Sequence, residues 1–191
     1  MRIVAGSAGG LELAVPKTDL RPTMDRVRGA IFSSLGEFIV GADVLDLFAG
    51  SGGLGIEALS RGAASAVFVE NDRRATTTIE KNLAHTRLRG AIHTLDIFSY
   101  LDRLAAPAAF DAIFADPPYA KKPGERDFAP ELLRSESLRR ALKPGGIFIL
   151  EYLPGATLPL GSEWELIRDK RYGATAVAFL QRADEDTARQ S

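Results

Sequence analysis

The chain has 191 residues, of which 46% are hydrophobic and 26% are charged, so it is long enough for one sizeable core and resembles an ordinary soluble globular protein in composition. It contains no cysteine, which excludes disulfide scaffolds, thiolate metal sites and thiol nucleophiles. The formal net charge is −1, so any surface that binds phosphates must come from local placement of basic residues. The sequence has no apolar segment long enough for a signal peptide or a membrane span, and we expect a cytoplasmic protein.

The N-terminal part predicts a small extension ahead of the main fold. Two short β-type runs, residues 2–4 and 11–15, are separated by glycines and predict a hairpin within residues 1–19. Thr23 can cap a helix, because apolar residues follow it at helical spacing as far as Leu35.

From residue 43 onward, strand and helix patterns alternate. Five apolar runs, separated by helical patterns, predict strands at 44–48, 66–70, 91–95, 110–115 and 146–152. The helical pattern before the last strand runs through Leu132, Leu133, Leu138 and Leu142 and predicts a single helix. Such β/α repeats favour an α/β fold with a doubly wound, mostly parallel sheet and right-handed crossovers.

The C-terminal part completes this fold. Residues 165–168 and 174–181 predict a terminal antiparallel pair, which brings the sheet to seven strands. We therefore expect one domain over residues 1–182. Residues 183–191 are polar and charged and are predicted to be a disordered tail.

The loop after the first strand is a candidate cofactor site, because open doubly wound sheets bind ligands at the carboxyl ends of their strands. Asp46 leads into a loop with glycines at 50, 52, 53 and 55, where a ligand can approach the backbone closely. The same spacing fits dinucleotide binding, so a nicotinamide oxidoreductase stays open on this motif alone. A carboxylate would repel a pyrophosphate, however, and it suits the ammonium and sulfonium of S-adenosylmethionine.

The next two strands also end at carboxylates. Glu70 could accept hydrogen bonds from both hydroxyls of a ribose. Asp96 could accept one from an adenine amino group while Ile97 packs on the ring, and Asp96 is equally suited to cap the following helix.

The fourth strand delivers Asp116, Pro117, Pro118 and Tyr119 to one turn. The prolines fix their own φ angles and restrict the residues before them, so the turn is stiff. The nitrogen of an exocyclic amine on a nucleobase is a poor nucleophile, because its lone pair is delocalised into the ring. Hydrogen bonds to the Asp116 carboxylate and the Pro117 carbonyl would orient this nitrogen and stabilise its developing positive charge, while Tyr119 stacks on a base extruded from its helix.

With these residues in view, the chain resembles the class I S-adenosylmethionine-dependent methyltransferases and, within them, the RsmD family. These are bacterial enzymes that methylate the exocyclic amino group, N2, of one guanine in small-subunit (16S) ribosomal RNA. The similarity runs from Arg2 to about Gln181 and is carried by residues 20–28, 45–62 and 116–119, of which the first two segments are specific to this family. The Asp-Pro-Pro-Tyr turn is shared more widely with DNA adenine and other amino methyltransferases.

The resemblance implies a Rossmann-like fold, methyl transfer to ribosomal RNA, and a site for each ligand. Catalysis would rest on Asp116, Pro117, Pro118 and Tyr119. The cofactor, S-adenosyl-L-methionine, would contact residues in the three strand-end loops, namely Asp46, Phe48, Ala49, Gly50, Ser51, Gly52, Glu70, Asn71, Asp96 and Ile97. RNA contacts would come from Arg21, Thr23, Arg26 and Arg28, and Lys121 and Lys122 beside the catalytic turn are further candidates.

One feature departs from the family pattern. Relatives usually carry arginine or lysine in the N-terminal hairpin, where this chain has Glu12, which puts the hairpin's contact with RNA in question. We also expect no metal site, because His85 and His93 lie far apart with no third ligand in the pattern, and we place Trp164 in the core.

Several alternatives remain beside a monomeric enzyme that acts on ribosomal RNA or on a small-subunit particle. One is a DNA or other RNA amino methyltransferase, and another is a protein glutamine methyltransferase, which usually has Asn before Pro-Pro-Tyr. A third is a ribosomal RNA-binding assembly factor that keeps a cofactor pocket without turnover.

Overall fold

A computed structural model describes residues 1–15, 22–120, 122 and 124–183, with the backbone alone described for 22–24. Seven strands form one sheet in the order β3-β2-β1-β4-β5-β7-β6, where β1 to β7 are numbered along the chain. Internal contacts divide the chain into two compact units, Met1–Leu104 and Ala105–Ser191. The prediction of a single domain over 1–182 stays a prediction, and that of a disordered tail falls almost entirely outside the described residues.

The first unit alternates helices with short parallel strands. Its elements are α1 (Pro22–Leu35), β1 (Asp43–Leu47), α2 (Gly53–Ser60), β2 (Ser65–Glu70), α3 (Arg73–Thr86), β3 (Ala91–Thr94) and α4 (Ile97–Arg103). β2 pairs in parallel with β1 on one side and with β3 on the other. The carboxyl ends of these three strands therefore lie along one edge of the sheet.

The second unit has one parallel pair and two antiparallel ones. Its elements are β4 (Phe110–Ala115), α5 (Phe128–Arg134), α6 (Glu136–Ala141), β5 (Leu142–Tyr152), β6 (Trp164–Tyr172) and β7 (Thr175–Arg182). β4 pairs in parallel with β5, and β7 pairs antiparallel with both β5 and β6. Trp164 is buried, and its indole N–H donates to the carbonyl of Leu133 at 2.8 Å, which confirms its predicted place in the core.

The predicted seven-stranded α/β sheet is confirmed, and three local predictions need correction. α1 begins at Pro22, so Thr23 lies inside the helix and does not cap it; proline is favoured in a first helical turn, where its missing N–H is not needed. The single helix predicted through Leu142 is two helices, because Ser135 ends α5 and its hydroxyl accepts from the N–H of Leu138 to cap α6. β5 then begins at Leu142, four residues earlier than predicted.

The N-terminal hairpin is minimal and is held by a buried carboxylate. One antiparallel bridge joins Arg2 to Glu12, where two strands were expected. Glu57 of α2, which is fully buried, accepts from the backbone N–H of Val4 at 2.7 Å and of Ala5 at 3.1 Å. The extension is thus fixed to the first unit through α2. In the part of the chain that the structure describes, no helix is long and apolar enough to cross a membrane.

Candidate active site

The loop after β1 adopts a backbone conformation that L-residues rarely take. Phe48 has φ 57°, and Gly50 and Gly52 have φ 55° and 83°. Glycine enters this left-handed region freely, whereas a bulky residue such as Phe48 is held there at a cost of about 1–3 kcal/mol by its surroundings. Such strain is concentrated at ligand sites, and it supports the interpretation of this loop as functional.

Asp46 acts on the loop itself. Its side chain is 1% exposed, and its Oδ2 accepts from the N–H of Gly55 at 2.8 Å. This bond ties the end of β1 to the first turn of α2, which is the turn that follows the loop. In the structure, the buried Asp46 therefore supports the loop. Its predicted contact with the cofactor stays a prediction.

Glu70 holds the other side of the same loop. One carboxylate oxygen accepts from the N–H of Gly50 at 2.9 Å, and the other accepts from the N–H of Asp72 at 2.9 Å. A carboxylate has about four acceptor sites, so these two bonds leave capacity for ribose hydroxyls. Glu70 is half-buried at the carboxyl edge, where the sequence predicted it.

The third acid, Asp96, has the local role that the sequence allowed. Its Oδ1 accepts from the N–H of Ser99 at 3.0 Å and caps α4. Two other predicted cofactor contacts differ in exposure. Ile97, which was expected to pack on an adenine ring, is 3% exposed, and Asn71, which follows β2, is exposed.

Asn82 of α3 supports this edge and was not predicted from the sequence. Its amide N–H₂ donates to the carbonyl of Ser51 in the glycine loop and to that of Ala14, both at 2.9 Å, and its Oδ1 accepts from the N–H of Ala14 at 2.8 Å. An asparagine that is 1% exposed within an amphipathic helix was the available signal, since buried polar groups require partners.

The groups at this edge fit S-adenosylmethionine. Asp46, Glu70 and Asp96 are acceptors, and they match a ligand that presents an ammonium, ribose hydroxyls and an adenine amino group. A Cβ built on Gly50 would meet only the carbonyl of Phe48, at 3.9 Å, so this side of the loop is open to a ligand.

The turn after β4 lies in the second unit. Asp116 and Tyr119 are half-buried there, Pro117 is buried and Pro118 is exposed. The Tyr119 hydroxyl is hydrogen-bonded to Oγ1 of Thr175 at the start of β7. A small open cavity of about 60 Å³ adjoins the turn, and its other walls are the first residues of α5, the end of β5 and the loop 153–158.

Of the predicted RNA contacts, Arg28 is placed where it cannot reach RNA. Its side chain is 4% exposed, and it bonds to Asp25 at 2.8 Å, to Glu57 at 3.4 Å and to the carbonyl of Arg2. A guanidinium surrounded in this way has almost no surface for a phosphate, so we correct its role to a structural one.

The remaining RNA candidates are exposed or lie outside the described residues. Arg26 and Lys122 are exposed. Arg21 and Lys121 are outside the described residues, and Thr23 is described only by its backbone. In the hairpin, Glu12 forms an ion pair with Arg2 at 3.2 Å. The glutamate that departs from the family pattern therefore also neutralises the nearest basic side chain.

The order of the elements defines the fold of a class I S-adenosylmethionine-dependent methyltransferase. A solved ribosomal protein L11 methylase from Lactobacillus delbrueckii shares this fold, with a TM-score of 0.59 and 22% identity over 75% of this chain and 70% of that one. The family model described as conserved hypothetical protein 95 matches residues 1–181. The chain belongs to this family, the RsmD family that the sequence resemblance indicated.

Two further comparisons extend over almost the whole chain. An Escherichia coli K12 protein named ribosomal RNA small subunit methyltransferase D is 36% identical over 185 residues, which are 95% of this chain and 90% of that protein. The solved structure of the Escherichia coli protein yhhF matches with a TM-score of 0.77 and 33% identity, and covers 96% of this chain and 99% of that one.

Proposed function

We propose that this protein is an S-adenosylmethionine-dependent methyltransferase that methylates N2 of a guanine in 16S ribosomal RNA. The observation that carries the proposal is the Asp-Pro-Pro-Tyr turn at the end of β4, in a chain similar over 95% of its length to a protein named as a small-subunit ribosomal RNA methyltransferase. The methylated position is the finer part of the proposal, because it rests on the chemistry of this turn and on the family resemblance.

The cofactor would bind at the carboxyl edge of β1, β2 and β3 and supply an electrophilic methyl group. Glu70 would accept from the ribose, and Asp96 would accept from the adenine amino group, both with oxygens that retain acceptor capacity. The open space at Gly50 would let the methionine part approach the loop closely. The left-handed backbone of Gly52 would keep the loop in the conformation that binds it. Asp46 would both hold the loop in place and face the ammonium of the cofactor. The remaining proposed contacts are Phe48, Ala49, Ser51, Asn71 and Ile97.

Asp116 and the carbonyl of Pro117 would each accept a hydrogen bond from the amino group of the guanine. These bonds would orient its nitrogen and stabilise the positive charge that develops on it during methyl transfer. Pro118 keeps the turn stiff, and the ring of Tyr119 would stack on the extruded base. The proton that the nitrogen loses afterwards can pass to the Asp116 carboxylate or to water.

The substrate would be ribosomal RNA, either free or in a small-subunit particle, bound by a monomer in the cytoplasm. The exposed side chains of Arg26 and Lys122 are suited to contact phosphates, and Arg21, Thr23 and Lys121 belong to the same proposed contact set. Such contacts would position the RNA, because phosphate contacts carry no direct sequence information.

The experiment is a labelled-methyl transfer assay on naked 16S RNA, on small-subunit particles and on DNA. Wild-type protein should label ribosomal RNA, whereas Asp116→Ala should label none and should bind S-adenosylhomocysteine within a few fold of wild type by calorimetry. Labelling of DNA alone would favour a DNA methyltransferase. RNA binding without any labelling would favour an assembly factor, and full activity of Asp116→Ala would contradict the proposed role of that residue.

A further inference from the structure

The hydroxyl of Tyr119 is tied to the sheet through two other side chains. It is hydrogen-bonded to Oγ1 of Thr175, and this oxygen in turn donates to Oε2 of Glu151 at 3.3 Å. Glu151 lies on β5 opposite Val177 of β7, so the pairing of the strands fixes its position relative to Thr175. The three side chains form a hydrogen-bond chain that leads from the catalytic turn into the sheet.

The chemistry of these groups fixes the direction of the chain. A threonine hydroxyl carries one proton, and a carboxylate can only accept. Since Thr175 donates its proton to Glu151, its oxygen must accept the proton of Tyr119. The hydroxyl of Tyr119 therefore has no proton left for a base, and the part of Tyr119 available to a substrate is its ring.

The ring needs this anchor because the prolines of the turn restrict only the backbone. A hydrogen bond at the far end of the ring adds a restraint on rotation about the side-chain bonds of Tyr119, which the prolines do not restrict. Tyr119 and Glu151 also line the same cavity beside the turn, so a different ring orientation would change the surface that faces that cavity.

We propose that Thr175 and Glu151 are positioning residues that hold the ring of Tyr119 ready for stacking on the acceptor base. The proposal rests on the proposed function, in which Tyr119 stacks on that base. If the ring is already oriented before the base binds, more of the bound complexes have a reactive geometry. Loss of this orientation should therefore lower kcat more than it weakens binding.

The test compares Thr175→Val, which has nearly the same shape without the hydroxyl, with Thr175→Ser, which keeps it. Thr175→Val should lower kcat for methyl transfer to RNA about tenfold and leave the affinity for S-adenosylhomocysteine unchanged, whereas Thr175→Ser should stay within about twofold of wild type. Tyr119→Phe should cause the same loss. The double variant Thr175→Val/Tyr119→Phe should be no slower than either single variant, because all three lose the same bond.

A second readout does not depend on activity. The NMR signals of a labelled Tyr119 ring should show one orientation in wild type and a second orientation or faster flipping in Thr175→Val, with folding checked by thermal unfolding. Wild-type kcat and an unchanged ring in Thr175→Val would overturn the proposal, as would losses that multiply in the double variant. If the wild-type protein methylated no RNA, the proposed function would fail, while the ring signals would still test the anchor.

A second and independent feature is a group of exposed basic side chains on the outer face of α3. Arg74, Lys81 and His85 are exposed and occupy positions i, i+7 and i+11, so they lie on one side of the helix. Arg87 at the end of the helix and Arg89 beyond it are also exposed. Residues 73–89 contain five Arg or Lys residues and one Glu, in a chain whose net charge is −1.

The arginines and lysine of this segment form no ion pair among the described residues. The ion pairs of the first unit engage Arg2, Arg28 and Arg61 instead. The exposed stripe from Arg74 to His85 is about 16 Å long at 1.5 Å per residue. None of the exposed large apolar side chains of the described residues lies in α3. A helix that binds a membrane surface needs such side chains, so the α3 face does not fit a membrane.

The geometry points to the α3 face as a surface that binds the phosphate backbone of the RNA substrate. It rests on the proposed function, and it would supply the local positive charge that the net charge of the chain does not. Unpaired cations on one helix face attract phosphates without regard to sequence, so this surface would contribute affinity and orientation while the catalytic turn acts on the base.

The test compares two variants that each lose two exposed cations, Arg74→Ala/Lys81→Ala and the control Arg134→Ala/Arg140→Ala. The α3 variant should bind a ribosomal RNA fragment at least tenfold more weakly, and its salt dependence, log K against log salt, should be shallower by about 0.7–0.9 per lost contact. Affinity for S-adenosylhomocysteine should be unchanged in both. RNA affinity and salt slope equal to those of the control would overturn the proposal, and so would binding to phosphatidylserine vesicles in place of RNA. Wild-type protein that binds RNA without methylating it would contradict the proposed function alone.

Discussion

Replacement of the buried carboxylate Glu57 by its neutral isostere should destabilise the first unit strongly. Glu57 is fully buried and accepts four hydrogen bonds, from the backbone N–H groups of Val4 and Ala5 and from the side chains of Arg28 and Arg61. The donors lie in the N-terminal extension, in α1 and, for Arg61, at the C-terminal end of α2, while the two acceptor oxygens belong to α2 itself. Loss of the carboxylate would therefore loosen three parts of the unit together.

The size of the effect follows from the charges that remain. Glu57→Gln removes the carboxylate that pairs with Arg61 at 2.7 Å and leaves the buried Arg28 with Asp25 as its remaining counter-charge. It also turns an amide N–H₂ toward groups that are themselves donors. Removal of one partner from a buried ion pair costs about 3–5 kcal/mol. We expect Glu57→Gln to lose stability in this range, which is a large part of the 5–15 kcal/mol that is usual for a folded domain.

The assay is urea unfolding of wild type, of Glu57→Gln and of the exposed control Glu80→Gln on α3. The control should stay within about 0.5 kcal/mol of wild type, because surface substitutions rarely exceed that. A cycle with Arg28→Met should show that the losses are less than additive, since both changes break the same pair. A Glu57→Gln variant as stable as the control would refute this account of the buried network.

Two more variants test residues of the proposed cofactor site, and a third tests a shifted pKa in the sheet. Asn82→Ala should weaken binding of S-adenosylhomocysteine about tenfold, because it releases the carbonyl of Ser51 in the glycine loop; calorimetry showing unchanged affinity would rule that support out. Glu70→Gln should keep the fold and weaken the same binding about tenfold, since its new N–H₂ replaces one of two acceptor oxygens, and an unchanged dissociation constant would remove Glu70 from the site. Burial and the nearby Asp169 raise the pKa of Tyr152 to about 12, so the folded state holds this proton longer than the unfolded state does, and stability should fall as pH rises between about 10 and 12. Tyr152→Phe should lessen that fall in melting temperature over the same pH range, and parallel curves for the two proteins would contradict the assignment.

The alternation of apolar runs with helical patterns was sufficient to predict the order of strands and helices. Short buried strands separated by amphipathic helices leave few topologies open. The ends of elements were harder to predict, because they depend on single capping groups. Ser135 divides one predicted helix into two, and Pro22 begins a helix that Thr23 was expected to cap.

The buried polar residues were predicted least well. Arg28 was interpreted as a surface cation, since its partner Glu57 lies 29 residues away and only the fold brings them together. Asn82 contacts Ser51 and Ala14 for the same reason. The residues that the sequence did single out, such as Glu70, lie at the carboxyl ends of strands, where topology alone fixes the edge of the sheet on which they are found.

Transfer of the methyl group to the amino nitrogen of a guanine can be detected directly in the RNA. The measurement is nucleoside mass spectrometry of 16S RNA that has been purified from cells lacking this protein and then incubated with the protein and S-adenosylmethionine. We expect N2-methylguanosine to appear at one position with wild-type protein and none to appear with Asp116→Ala. Methylation of adenine or of a ring nitrogen, or no change in the RNA, would contradict the proposed function.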